Sequence, residues 1–278
     1  MNKNVLATIV LLATSAVLAG LCPADVAVRI NGSGSALDMM KPLIQAYTKK
    51  NRNVRTEMGK PLGSSGSVKA LLAGALDIAV SGSPVSAEDI ARGARPMEYG
   101  ITPLAIVTER NVPKSDITMR ELEDIYAGRT TVWANGEKIR PVLRPEQDIN
   151  TRLLRGLSEG MNKAIDEARS RPGAIVAITD FDAYTTIVRT PGAIGESGLT
   201  SIMVEKLPLN VLALNGVKPT PAALASRTYP LAKPIIFVVS PGTPPAALKF
   251  IRFVFSPQGR AIAGKAGVLV TAGPEPDR

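Results

Sequence analysis

The sequence predicts an α/β protein with apolar mass enough for two lobes, and three observations carry that expectation. Short apolar strands alternate with helices of 3.6-residue periodicity along most of the chain, the pattern of a mostly parallel sheet covered on both faces. At 278 residues and 45% hydrophobic content, the chain can bury one large core or two smaller ones. No repeat or low-complexity tract interrupts the alternation.

Residues 1–24 stand apart from that pattern. Lys3, a long apolar run and then small residues make the three-part layout of a secretory leader, cleaved after Ala19 or Ala24. Cys22 follows the run, but Leu21 is a poor residue before a lipidated cysteine, so a lipid anchor ranks second to free export. Cys22 is the only cysteine, so no intramolecular disulfide is expected and the core alone must hold the exported protein, as suits a bacterial periplasm. Beyond the leader no stretch approaches the roughly 20 apolar residues of a membrane helix.

Residues 26–32 (VAVRING) read as a strand entering a turn. A helix follows with Leu37, Met40, Ile44 and Tyr47 on one face, which Pro42 is expected to kink or delay. Residues 54–59 give a second strand, residues 67–77 a helix carrying Val68, Leu71, Leu72, Ala75 and Leu76, and residues 78–82 a third strand. Residues 101–109 form an apolar strand, and Thr118 caps a helix that Gly128 ends. Residues 140–146 read as a strand, residues 149–171 as one long helix stopped by Pro172 and Gly173, and residues 179–188 as a further capped helix. PGAIGESG, residues 191–198, reads as a turn; residues 207–219 as strand and turn; residues 230–242 as a strongly apolar strand; residues 245–267 as the closing helix; and GPEPDR as a frayed tail.

The net charge is +9, or +8 without the leader's Lys3, which suits an anionic ligand or an acidic surface. Nucleic acid is not expected, since Lys and Arg are dispersed and aromatic residues make up 4%. The sequence contains no histidine, which excludes Ser-His and Cys-His nucleophile pairs and HExxH zinc sites. Neither a nucleophile elbow nor a GxxxxGK[ST] loop occurs. Neither a metal nor a cofactor is expected, and the chain is read as a non-enzyme. The acids Asp180 and Asp182 sit where a helix start welcomes negative charge and are read as structural, and Glu121, Glu123 and Asp124 as a solvated face. Three Gly/Ser-rich loops follow the first three strands, at residues 32–35, 63–66 and 81–83. Small residues before a helix let a ligand approach backbone N–H groups closely, and the helix start favours an anion.

INGSGSAL, LGSSGSVKALLAGALDIAVSGSPVS, ITMRELEDIYAGRTTVW, VRTPGAIGESG, YPLAKPIIFVV and FIRFVFSPQGRAIAGKAGV together resemble, in the same order, segments of the periplasmic phosphate-binding proteins of ABC importers. That family is a branch of the type II solute-binding fold, and the likeness spans about residues 26–269. It implies two α/β lobes with mixed, mostly parallel sheets, a two-strand hinge, and an anion buried in the cleft. The chain would cross near residues 103–108 and return near 233–238, giving lobe I at 25–104 plus 235–278 and lobe II at 105–234. The implied partners are a small anionic ligand and an inner-membrane permease, the expected state a monomer.

Carried over by position, the resemblance implies ligand contacts at Gly34 and Ser35, at Ser64, Ser65 and Gly66, at Gly82 and Ser83, and at Arg144, Asp148, Asn150 and Thr151. Ser64 and Arg144 match the family's anion-binding serine and arginine most directly. Elsewhere the pattern departs: Ala36 replaces a threonine, Asp148 a serine and Asn150 a threonine. Gly82 stands where the family has the aspartate that accepts the proton of hydrogen phosphate. Asp148 can repel an anion, pair with Arg144 or cap its own helix. Phosphate is therefore the first expectation, with another oxyanion, an organic acid, or a sensory module that lost phosphate binding as alternatives.

Overall fold

The computed structural model describes residues 26–273. The leader, its two candidate cleavage points, Cys22 and residues 274–278 lie outside the described residues. In chain order the elements begin β1 (Val26–Gly32), α1 (Gly34–Lys50), β2 (Val54–Met58), α2 (Gly63–Leu72), β3 (Ile78–Ser81) and α3 (Ala87–Ala91). They continue with β4 (Arg95–Glu109), β5 (Asp116–Ile117), α4 (Met119–Tyr126), β6 (Arg140–Leu143), α5 (Ile149–Arg155), α6 (Glu159–Ser170), β7 (Ile175–Val176) and α7 (Asp180–Arg189). The last part comprises β8 (Ala193–Gly198), α8 (Leu199–Glu205), β9 (Leu209–Val211), β10 (Ala213–Leu214), α9 (Pro221–Ala225), β11 (Ala232–Val239), α10 (Pro245–Phe255), α11 (Pro257–Lys265) and β12 (Leu269–Val270).

The main sheet runs β2-β1-β3-β11-β4-β8-β6-β7, with β9 and β12 also on β4. Its two ends are parallel, β1 with β2 and β3 and β6 with β7 and β8, as strand-helix alternation requires. Its middle is antiparallel. β11 pairs with both β3 and β4, and β4 changes partners along its length, from β11 over Arg95–Pro103 to β8 over Leu104–Thr108. The apolar residues sort accordingly. One core draws Val28, Ile30, Leu37, Met40, Phe237 and Phe250 from both ends of the chain. The other draws Leu104, Ile106, Leu122, Ile125, Leu154 and Ile165 from its middle.

Several expectations are corrected by the structure. α1 starts at Gly34 and passes through Pro42 without a break or a late start; Met39, Met40 and Leu43 around the proline are fully buried, so packing outweighs the one lost helical hydrogen bond. The glycine-rich residues 63–66 are the first turn of α2 rather than a loop before it. The long helix over 149–171 is two, because Gly156 ends α5 and the Ser158 hydroxyl accepts from Met161 N–H to start α6. The closing helix is likewise two: Pro257 forces Ser256 out of helical geometry, and Ser256 then caps α11. Residues 193–198 are a fully buried strand, not a turn. Its glycines serve packing: a Cβ at Gly195 would lie 2.8 Å from Ile187 Cδ1.

Candidate functional site

The carboxyl ends of β1, β3 and β6 open onto one cleft of about 780 Å³, where strand ends in an open parallel sheet present helix starts to a ligand. Gly34, Ser64, Ser65, Gly66, Ser83, Arg144 and Asp148 line it, so seven of the eleven residues singled out from sequence meet there. The first turn of α2 has no acidic residue and no side-chain cap, leaving its start uncapped toward the cleft. Ser64 Oγ accepts from Gly82 N–H at 3.0 Å, which ties this turn to the loop after β3.

The other four take different places. Ser35 is buried and gives its N–H to Asp180 Oδ2 at 3.0 Å, while its carbonyl accepts from Thr200 Oγ1 at 2.9 Å. Gly82 makes room: a Cβ there would lie 2.9 Å from Lys233 Cε and 2.8 Å from Ser33 Oγ. Asn150 N–H is held by Asp148 Oδ1 at 2.8 Å, and Thr151 Oγ1 donates to the carbonyl of Pro145 at 2.9 Å. Asn150 and Thr151 are buried and stand behind the cleft as supports of Arg144 and α5, not on its surface.

Arg144 is 4% exposed and already partnered. Its guanidinium donates to Ala177 O at 2.8 Å, to Asp148 Oδ2 at 2.8 Å and, at 3.4 Å, to Asp180 Oδ1. Asp148 thus pairs with Arg144 and caps α5 together, one oxygen for each.

Two residues of the site were not assigned to it from the sequence: Lys233 was given no role, and Asp180 was read as a structural helix-start acid. Lys233, 2% exposed on β11, reaches Asp180 Oδ2 at 3.1 Å. Asp180 itself is no mere helix-start acid, because Thr179 and Asp182 form the capping box of α7 without it. Burial alone would raise the Asp180 carboxyl, but Lys233, Arg144 and the Ser35 N–H hold it well below the usual carboxylate range. Behind Arg144, Glu196 is 3% exposed, and its carboxyl oxygens make no hydrogen bond to the protein. Burial pushes it up to about 7, against the pull of Arg144.

A family model described as the PBP superfamily domain matches residues 20–258, most of the chain and every residue of this cleft. The chain belongs to the PBP superfamily. A phosphate-binding protein PstS of Borreliella burgdorferi is 26% identical over 257 residues, covering 87% of this chain and 89% of that protein. PstS 2 of Streptococcus agalactiae serotype V is 26% identical over 109 residues, 39% of this chain and 37% of that one. Among solved structures, a phosphate ABC transporter substrate-binding protein from Clostridium perfringens with bound phosphate superposes with a TM-score of 0.73 at 21% identity, covering 88% of this chain and 100% of that one. An ABC-type phosphate transport receptor from Vibrio cholerae gives 0.58 at 21% identity, covering 87% and 99%. These likenesses show the two-lobed fold. In this chain Gly82 packs against Lys233, which pairs with Asp180 on the cleft wall.

Proposed function

We propose that the protein is an exported solute-binding component that captures a small oxyanion, phosphate in the first instance, and hands it to the permease of an ABC importer. The observation that carries this reading is the meeting of an uncapped helix start, Ser64 to Gly66, with two buried cations, Arg144 and Lys233, in a single cleft. The named relatives support it, and no catalytic role is assigned. Of the described residues, 26–104 and 235–273 form lobe I and 105–234 lobe II, with β4 and β11 crossing between them; the outer ends of the expected lobe I, residue 25 and residues 274–278, lie outside the described residues. The mature protein works in the periplasm as a monomer; among the described residues no helix is long and apolar enough to cross a membrane.

Isothermal titration of the purified protein with sodium phosphate tests the reading. A saturable one-to-one signal is expected, and Arg144→Ala weakens it at least tenfold, about 1.4 kcal/mol. Flat titrations of folded wild-type protein with phosphate would rule the reading out, and an unchanged affinity in Arg144→Ala would remove the arginine from the contact set.

A further inference from the structure

We propose that Asp180 is a resident anion that sets the affinity of the cleft for inorganic oxyanions: its carboxylate holds the donors such a ligand needs, and the ligand binds by taking them over. The inference rests on the reading of this cleft as an oxyanion site.

Three donors from separate parts of the chain converge on the one side chain. The Ser35 N–H at the start of α1 lies 3.0 Å from Oδ2, Lys233 Nζ lies 3.1 Å from Oδ2 and 3.4 Å from Oδ1, and Arg144 Nη2 lies 3.4 Å from Oδ1. A helix-start amide with two cations is the donor set of a bound anion, here satisfied from within the protein. Two glycines seat it. A Cβ at Gly34 would come within 2.7 Å of Asp180 Cβ, and one at Gly82 would come within 2.9 Å of Lys233 Cε. The carboxylate lines the cleft, so a ligand entering there meets it directly. α7 does not need it, since Thr179 and Asp182 supply the capping box.

The charge balance gives the consequence. Arg144 and Lys233 are matched by Asp148 and Asp180, with Glu196 behind Arg144, so an incoming oxyanion finds no net positive charge in the cluster and gains Lys233 and the nearer part of Arg144 only as Asp180 gives them up. Replacing Asp180 with a neutral residue frees Ser35 N–H, Lys233 and part of Arg144, and leaves one buried positive charge unmatched, which an external anion can satisfy.

The test compares wild type, Asp180→Asn, Asp180→Ser and the double variant Asp180→Asn/Lys233→Met, each titrated with sodium phosphate and sodium sulfate in a buffer free of other small anions, with melting temperatures recorded alongside. Each single variant is expected to bind phosphate or sulfate at least tenfold more tightly than wild type. It should melt lower than wild type without anion and recover when the anion is added, and the double variant should lose the gain. Folded single variants with affinities for both anions equal to or below wild type would overturn the proposal, as would single variants that fail to fold whether or not phosphate is present. Wild-type phosphate binding without a gain in the variants sinks this inference and leaves the functional reading intact. Variants that bind while wild type stays flat sink phosphate as the wild-type ligand and support the resident anion. Flat titrations throughout sink both.

Discussion

Asp180 and Asp182 stand two residues apart in TDFDAY and do different work. Asp182 accepts from Thr179 N–H at 3.0 Å and closes a capping box, as the sequence implies, while Asp180 turns inward onto Lys233 and Arg144. Local spacing reveals the cap, because both partners lie within three residues. It cannot reveal the other contacts, whose partners lie 36, 53 and 145 residues away. Arg144 was reached through the family resemblance; Lys233 sits near the start of β11 between Ala232 and Pro234, with nothing local to mark it. Glu196 offers a second residue-level test. Its folded-state value is raised from an ordinary 4.5 to about 7, so between those pH values the unfolded chain has released a proton that the folded chain keeps. Stability from this group therefore falls as pH rises through that window, by on the order of 1–3 kcal/mol, and levels off above it. Urea unfolding of Glu196→Gln across the window should lack this decline; a decline equal to that of wild type would clear Glu196 of it. Asp180 has the opposite sign, its contribution being lost only as pH falls below the ordinary carboxylate range.

At the scale of elements, helix starts announced themselves better than helix ends. Thr118 caps α4 and α7 starts capped where the sequence places them; Glu121, read from sequence as part of a solvated face, instead closes the capping box of α4, as Asp182 does for α7. The break between α5 and α6 hides in a run of good helix formers, because Gly156 is tolerated in helices and Ser158 acts as a cap only once the chain turns. Ser158→Ala should cost about 1 kcal/mol of stability, measured by denaturant unfolding, with phosphate affinity unchanged. No loss would mean that packing of Met161 and Ile165, rather than the cap, fixes the break. β8 was hidden for a different reason. Its glycines look like turn residues, yet Gly195 lets α7 and β6 approach and Gly198 lets Ser35 of α1 approach a fully buried strand, and burial of that kind is decided by distant neighbours.

For the whole molecule, the decisive feature is that β4 and β11 are antiparallel to each other while the outer strands of each half run parallel. Alternation along the sequence forecasts the parallel parts; the crossing comes from long-range pairing that only the resemblance could suggest. The crossing sets two cores beside a shared cleft, and the cleft gathers helix starts from both sides together with the cations Arg144 and Lys233. The central claim is that these groups hold an oxyanion, and it is tested most directly by following the backbone amides and arginine side chains of 15N-labelled protein by NMR during titration with sodium phosphate. The account requires saturable shifts at the amides of Ser64, Ser65 and Gly66, at Arg144, and at the Ser35 amide as Asp180 gives way. Shifts confined to scattered surface lysines and arginines, with those four amides and Arg144 unmoved at saturation, would contradict it.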